Sequence, residues 1–323
     1  MSQSSEQVNL TVHRFAVLTC LVELLPITVG ALVTTLKAGM AFADWPTSDG
    51  QNMLLYPWLQ DLRHTDKFVE HGHRLAGILI GLMSIGLVTV TFLKESKSWV
   101  RVMAISVLLA VIGQGMLGGM RVLMDEQILA MTHSITGGLF FTLTFLFAAL
   151  TRPAPESAGS RNESSLSFNG GVLTVVLPCL VLGQYVMGGM FRHLGRMLHE
   201  HVAGAILVSL VVIVVAWVLW RSERPDLKRS GRWILAALLI QVGLGLGSWV
   251  TKLGLPSMGW VASANSPAQN VVCTLHTVGG MFLLAATTTA ATRVIMLARR
   301  RQLDCLRSVV SIPTPSSQQG GVA

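Results

Sequence analysis

The sequence predicts an all-α integral membrane protein: eight transmembrane helices arranged as two pseudo-symmetric four-helix bundles. Three observations carry that expectation. The 323 residues are 51% hydrophobic and only 12% charged, against about 25% charged in an average soluble domain. Apolar runs of roughly eighteen residues or more, enough to cross a bilayer, recur along the chain. Motifs of the first half return in the second in the same order, which marks an internal duplication.

Residues 1–13 are polar and are expected to form a tail outside the bundle. Helix 1 is expected over residues 14–36, with Glu23 and Pro26 inside it; a carboxyl at that depth faces the bundle interior or carries a proton. No small-residue cleavage site follows this run, so it is not read as a cleaved signal peptide. It leads instead into Lys37-Ala-Gly-Met-Ala-Phe-Ala-Asp-Trp-Pro46 and a long loop. Helices 2, 3 and 4 are expected over residues 70–93, 102–123 and 128–150. These close the first half, residues 14–151. The Pro/Ser/Gly-rich stretch 152–170 reads as a linker. Helices 5 to 8, over residues 171–191, 199–220, 233–250 and 271–296, make the second half, residues 171–297. A basic tail, residues 298–323, follows.

The duplication is visible in three places. Gln114-Gly-Met-Leu-Gly-Gly resembles Gln241-Val-Gly-Leu-Gly-Leu-Gly. His133-Ser-Ile-Thr-Gly-Gly resembles His276-Thr-Val-Gly-Gly. His71-Gly-His73 resembles His199-Glu-His201, with Ala-Gly following each. Small residues at such positions let neighbouring helices, or a flat ligand, come close.

The net charge of +8 does not point to nucleic acid, because the Lys and Arg residues lie in the loops, where they set topology. Sixteen fall on the side of the N-terminus and eight on the other. The positive-inside rule then places both termini in the cytoplasm, with the first loop outside; a bacterial inner membrane is the expected setting. The four cysteines form no Cys-x-x-Cys motif, which argues against a thiolate metal site.

With that topology, His73, His133, His201 and His276 all stand near the starts of helices 2, 4, 6 and 8, at one depth near the outer surface, two in each half. Two imidazoles facing each other across a four-helix bundle can hold a haem iron from both sides. Zinc or copper is the rival, weakened by the absence of nearby Cys ligands and the scarcity of carboxylates. The plain alternative is a set of interfacial polar residues. Glu70 lies three residues before His73 on the same helical face, where a carboxylate can orient the imidazole, take up protons or steady a charged intermediate; a helix-start acid is the simpler reading. Arg74 suits a haem propionate, and its counterpart in the second half is Val202. His71 and His199 are about 200° around the helix from the proposed ligands and are read as loop-facing or uninvolved. His13, His64 and His193 are expected in solvent.

These residues resemble those of the haem A synthase family, eight-helix membrane enzymes that mature haem for terminal oxidases. The resemblance spans about residues 14–296. It rests on the Lys37–Pro46 motif, Glu70-x-x-His73-Arg74, Gln114-Gly-x-Leu-Gly-Gly and the four spaced histidines. It implies that His201 and His276 hold a haem b cofactor, that His73 and His133 bind the substrate haem O, and that Glu70 is the catalytic glutamate. The implied reaction oxidises the C8 methyl of haem O to a formyl group through an alcohol and a hydrated aldehyde. Electrons would leave through haem b to a membrane acceptor such as a quinone. Implied partners are haem O synthase and terminal oxidase subunits, with a homo-oligomer possible. A di-haem b electron-transfer protein and a non-catalytic haem carrier are the alternatives. The chain departs from the family pattern in lacking a cysteine pair in the first loop, in the short connection between helices 5 and 6, and in Val202.

Overall fold

In the computed structural model, residues 8–153 and 168–310 are described. Eight α-helices run in sequence: α1 (Leu10–Thr35), α2 (Thr65–Lys94), α3 (Ser98–Met124), α4 (Gln127–Leu150), α5 (Phe168–Leu194), α6 (Leu198–Arg221), α7 (Pro225–Leu253) and α8 (Pro267–Val310). All eight are long and apolar enough to cross a membrane, and the protein is an integral membrane protein. Leucines such as Leu82, Leu109, Leu207 and Leu239 point outward from these helices. In water that surface would be unfavourable, whereas lipid is its natural solvent.

Each helix packs on the next. In addition α1 closes on α4, and α5 closes on α8. Val12, Ile80, Leu87, Val107 and Phe147 belong to an apolar cluster within α1–α4. Leu177, Val212, Leu219, Ile234 and Leu284 belong to another within α5–α8. At the seam α4 meets α5 and α8, and α1 meets α8, around Cys20, Phe141, Met281 and Ala285. Glu23 is buried beside this cluster: Thr144 Oγ1 donates to its Oε2, while its Oε1 has no partner.

Several helix ends differ from the expectation. α1 begins at Leu10, with the Asn9 side chain accepting from the Thr11 N–H as its cap. α2 begins at Thr65 rather than residue 70, and α7 begins at Pro225 rather than residue 233, with proline at its first turn. α8 continues to Val310 through Ala298-Arg-Arg-Arg-Gln-Leu, good helix formers unbroken by Gly or Pro. Hydropathy stops at the membrane surface, but helix propensity does not. Residues 1–7 of the expected tail, most of the 152–170 linker and residues 311–323 lie outside the described residues.

The connection between α1 and α2 is a built structure. Phe42 is fully buried, edge-on to Tyr56 at 5.2 Å between ring centres and beneath the Arg74 guanidinium at 5.0 Å. Asp44 accepts from the N–H groups of Asp49 (3.0 Å) and Gly50 (2.8 Å). Lys67 pairs with Asp49, and Tyr56 donates to Asp61 at 2.7 Å. The Trp45 ring rests on α3 at Gly119, where a Cβ would come within 2.5 Å of it. By contrast α5 and α6 are joined by residues 195–197 alone.

Candidate functional site

His73 stands in the third turn of α2, His133 in the second of α4, His201 in the first of α6 and His276 in the third of α8. The even-numbered helices all start at one end of the bundle, so the four rings share that end. His73 faces His133 with ring centres 6.2 Å apart and planes at 77°; His201 faces His276 at 6.3 Å and 82°.

Each ring lies against a glycine on the preceding helix. A Cβ added at Gly30 on α1 would fall 2.6 Å from Cε1 of His73. At Gly118 on α3 the distance to His133 is 3.1 Å, at Gly188 on α5 to His201 2.9 Å, and at Gly245 on α7 to His276 3.1 Å. One turn before each glycine, a main-chain group faces the Nδ1 of the same ring. His73 Nδ1 lies 3.0 Å from the Pro26 carbonyl oxygen. His201 interacts with the main chain of Gln184, whose side-chain Nε2 also lies 3.0 Å from its Nδ1. His133 and His276 turn Nδ1 toward the main chain of Gln114 and Gln241, short of regular hydrogen-bond geometry. At His73 an Nδ1–H held by the Pro26 carbonyl leaves Nε2 as the bare donor, the tautomer that binds a metal.

The spacing fits an iron porphyrin. With a metal–imidazole bond of about 2.0–2.1 Å and about 1.1 Å from nitrogen to ring centre, two rings in line on one metal have centres about 6.3 Å apart. Both pairs meet this distance. No three His, Cys, Asp or Glu side chains gather around a point among the described residues. A bare ion there would have two protein ligands, whereas a porphyrin brings four nitrogens of its own.

Around the first pair the charged residues hold the loop. Glu70 is 2% exposed; its Oε2 accepts from the N–H groups of Ala41 (2.7 Å) and Phe42 (3.4 Å), and its Oε1 pairs with Arg74 Nη2 at 2.8 Å. Glu70 therefore does not orient His73, whose Nδ1 goes to Pro26. Arg74, expected at a propionate, directs Nη1 to the carbonyls of Asp44 (2.9 Å) and Thr47 (2.8 Å) and Nη2 to Phe42 and Glu70. Arg121 on α3 donates to the Gly39 carbonyl. Six hydrogen bonds to these three side chains thus clamp residues 39–47 across the ends of α2 and α3. Partial burial of Asp44 opposes its ionisation, but hydrogen bonds from Thr47 and from the Gly50 and Asp49 N–H groups outweigh it and hold the carboxyl below its ordinary range.

His71 is loop-facing, 1% exposed beneath this cap, with Nδ1 3.2 Å from Ser48 Oγ and its ring 4.9 Å from that of Tyr56. His199, its counterpart, is exposed. His64 is exposed as expected. Two histidines expected in solvent have protein partners instead: His13 reaches Thr151 Oγ1 (3.3 Å), and His193 reaches Ser134 Oγ (3.1 Å). Sequence reasoning missed the cradles on α1 and α5. Gln184-Tyr-Val-Met-Gly188 has the same spacing as Gln114 to Gly118 and Gln241 to Gly245, a signal that was readable. On α1 a proline stands in place of the glutamine, so no such pattern appears.

Fold and site together define a class: an eight-helix membrane protein with two facing imidazole pairs at one end of the bundle. The chain belongs to the cytochrome oxidase assembly protein family, whose model matches residues 13–200. It is 28% identical over 254 residues to the haem A synthase of Symbiobacterium thermophilum, covering 69% of this chain and 81% of that protein. It is also 29% identical over 146 residues to the haem A synthase of a Jannaschia species, covering 41% of this chain and 37% of that one. No solved structure matches.

Proposed function

We propose that this chain is a haem A synthase-type oxidoreductase that converts the C8 methyl of haem O to a formyl group by successive oxidations, serving terminal oxidase maturation. The observation that carries the reading is the matched separation of the two imidazole pairs, 6.2 and 6.3 Å, at the value an iron held from both sides requires. His73 and His133 bind the substrate haem O, and His201 and His276 hold haem b. A bound haem b supplies one-electron redox chemistry and an exit for electrons toward a membrane acceptor such as a quinone. The protein sits in a bacterial inner membrane with both termini cytoplasmic and the histidine end outward. Haem O synthase and terminal oxidase subunits are its proposed partners.

The protein's own groups orient and enclose. The Pro26 carbonyl, the Gln184 side chain and the four glycines hold the rings in place, so each pair stays at its separation. Trp45, Phe42 and the polar clamp keep the loop over the first pair and limit water there. Glu70 stands one turn from His73 and is the carboxylate on which the oxidation depends, with Arg74 locking its orientation.

The test is expression with a haem O synthase, followed by pigment extraction. Haem A, or its alcohol precursor, is expected from the wild type. Glu70→Ala should retain haem b and yield no formyl product. A strain that makes only haem O refutes catalysis by this chain, and a normal haem A yield from Glu70→Ala removes Glu70 from the reaction.

A further inference from the structure

Arg192, near the end of α5, has no carboxylate partner among the described residues. Its Nη1 donates to the Cys273 carbonyl (3.2 Å) and Thr277 Oγ1 (2.6 Å), and its Nη2 donates to the Ala31 carbonyl and Thr35 Oγ1 (2.7 Å). Every acceptor is a neutral oxygen, so the positive charge is held but not cancelled. Guanidinium suits this task because it stays protonated and its planar fork can meet several carbonyl and hydroxyl oxygens at once. A charged side chain on a membrane helix, turned to its neighbours, often marks a functional position.

Its location is specific. Thr277 directly follows His276, and Ala31 directly follows Gly30, the glycine beneath His73. Arg192 itself lies one turn beyond Gly188, the glycine beneath His201. The next residue, His193, contacts Ser134, which directly follows His133. One cation at the seam therefore stands beside the supports of both imidazole pairs.

We infer that Arg192 is an electrostatic positioning residue that raises the reduction potential of the haem iron held by His201 and His276. The inference rests on the haem reading of the two pairs. Reduction of ferric to ferrous iron adds one electron and lowers the local charge by one; a fixed cation nearby stabilises that more electron-rich state. A purely mechanical role, stapling α5 to α1 and α8, would need the hydrogen bonds but not the charge.

Potentiometric titration of the purified haem-loaded protein, read from the haem absorption bands, separates the two. Arg192→Gln, and Thr35→Glu, which sets a carboxylate beside the retained guanidinium, should each move the ferric–ferrous equilibrium at least tenfold toward ferric. For a one-electron couple that is a midpoint about 59 mV lower. Arg192→Lys, which keeps the charge, should move it less than threefold. Equal shifts in the Lys and Gln variants, or none in either with the haem bands intact, overturn the inference and leave the staple. If the Arg192 variants lose haem, Thr35→Glu decides alone, and an unchanged midpoint there overturns the proposal. A colourless wild-type protein from haem-replete cells overturns the haem reading itself, a distinguishable failure.

Discussion

Gly30→Ala is the sharpest probe of the cradle. The new Cβ would lie 2.6 Å from Cε1, 3.0 Å from Nδ1 and 3.3 Å from Nε2 of His73, so the ring must retreat by about 1 Å to reach ordinary contact of about 3.5 Å. A shift of that size changes the 6.2 Å separation from His133 and pulls Nδ1 from the Pro26 carbonyl. Losing such an outer contact typically costs 10–100-fold in metal affinity, or about 1.4–2.8 kcal/mol. Helix stability moves the other way, since alanine is favoured over glycine by up to about 1 kcal/mol. Melting temperature is therefore the wrong readout, and haem titration followed by absorbance is the right one. Gly118→Ala and Gly245→Ala start from 3.1 Å and should cost less. Gly81→Ala meets open space and is the control. Equal haem affinity in Gly30→Ala and Gly81→Ala would refute the cradle.

Three further outcomes follow from the cap over the first pair. Arg74→Lys keeps the charge but cannot serve Asp44, Thr47, Phe42 and Glu70 together; protease cleavage between residues 37 and 64 should quicken at least tenfold, and an unchanged rate would show that the clamp is dispensable. Asp44 has a folded pKa below its unfolded value, so the stability it contributes is present above about pH 4 and is lost as pH falls through the lower folded value. Loop opening on acidification, read from tryptophan fluorescence, should accordingly lose this acid step in Asp44→Asn, and an identical acid profile would count against it. Gly119→Val should lift Trp45 from α3 and speed haem loss to apomyoglobin from the first site several-fold, leaving the second unchanged; equal acceleration at both sites would count against a cap serving one.

The eight spans were legible because lipid demands length and apolarity of every crossing segment, and nothing else in the chain competes with that signal. The four histidines were legible because duplication repeats them. Helix ends were not: the turns at Thr65–Val69 of α2 and Pro225–Arg232 of α7 are polar and look like loop until their propensity is weighed. The partners of Glu70 and Arg74 were only half legible. Their mutual pairing follows from i,i+4 spacing, but the main-chain groups of residues 39–47 carry no sequence signal. The same holds for Pro26, whose part in the site is played by a carbonyl that any residue would bring.

That distinction explains where the two sites differ. What the four cradles share is the absence of a side chain, a glycine beneath each ring, and at His73 a main-chain carbonyl is added. What is added to the first pair consists of side chains and a loop: Glu70, Arg74 and Arg121 hold a cap that buries His71. The second pair has Val202 after His201 and, three residues past its α7 glycine, Ser248 with an unpartnered hydroxyl. Its counterpart of His71, His199, lies in the open. On the proposed reading the shared parts grip a planar iron ligand, and the unshared parts add charged side chains and a cap to one site alone. A bundle that only carried electrons would gain nothing from capping one of two equal sites. Enclosure of one, with a carboxylate at its edge, is what a reaction on the bound ligand requires.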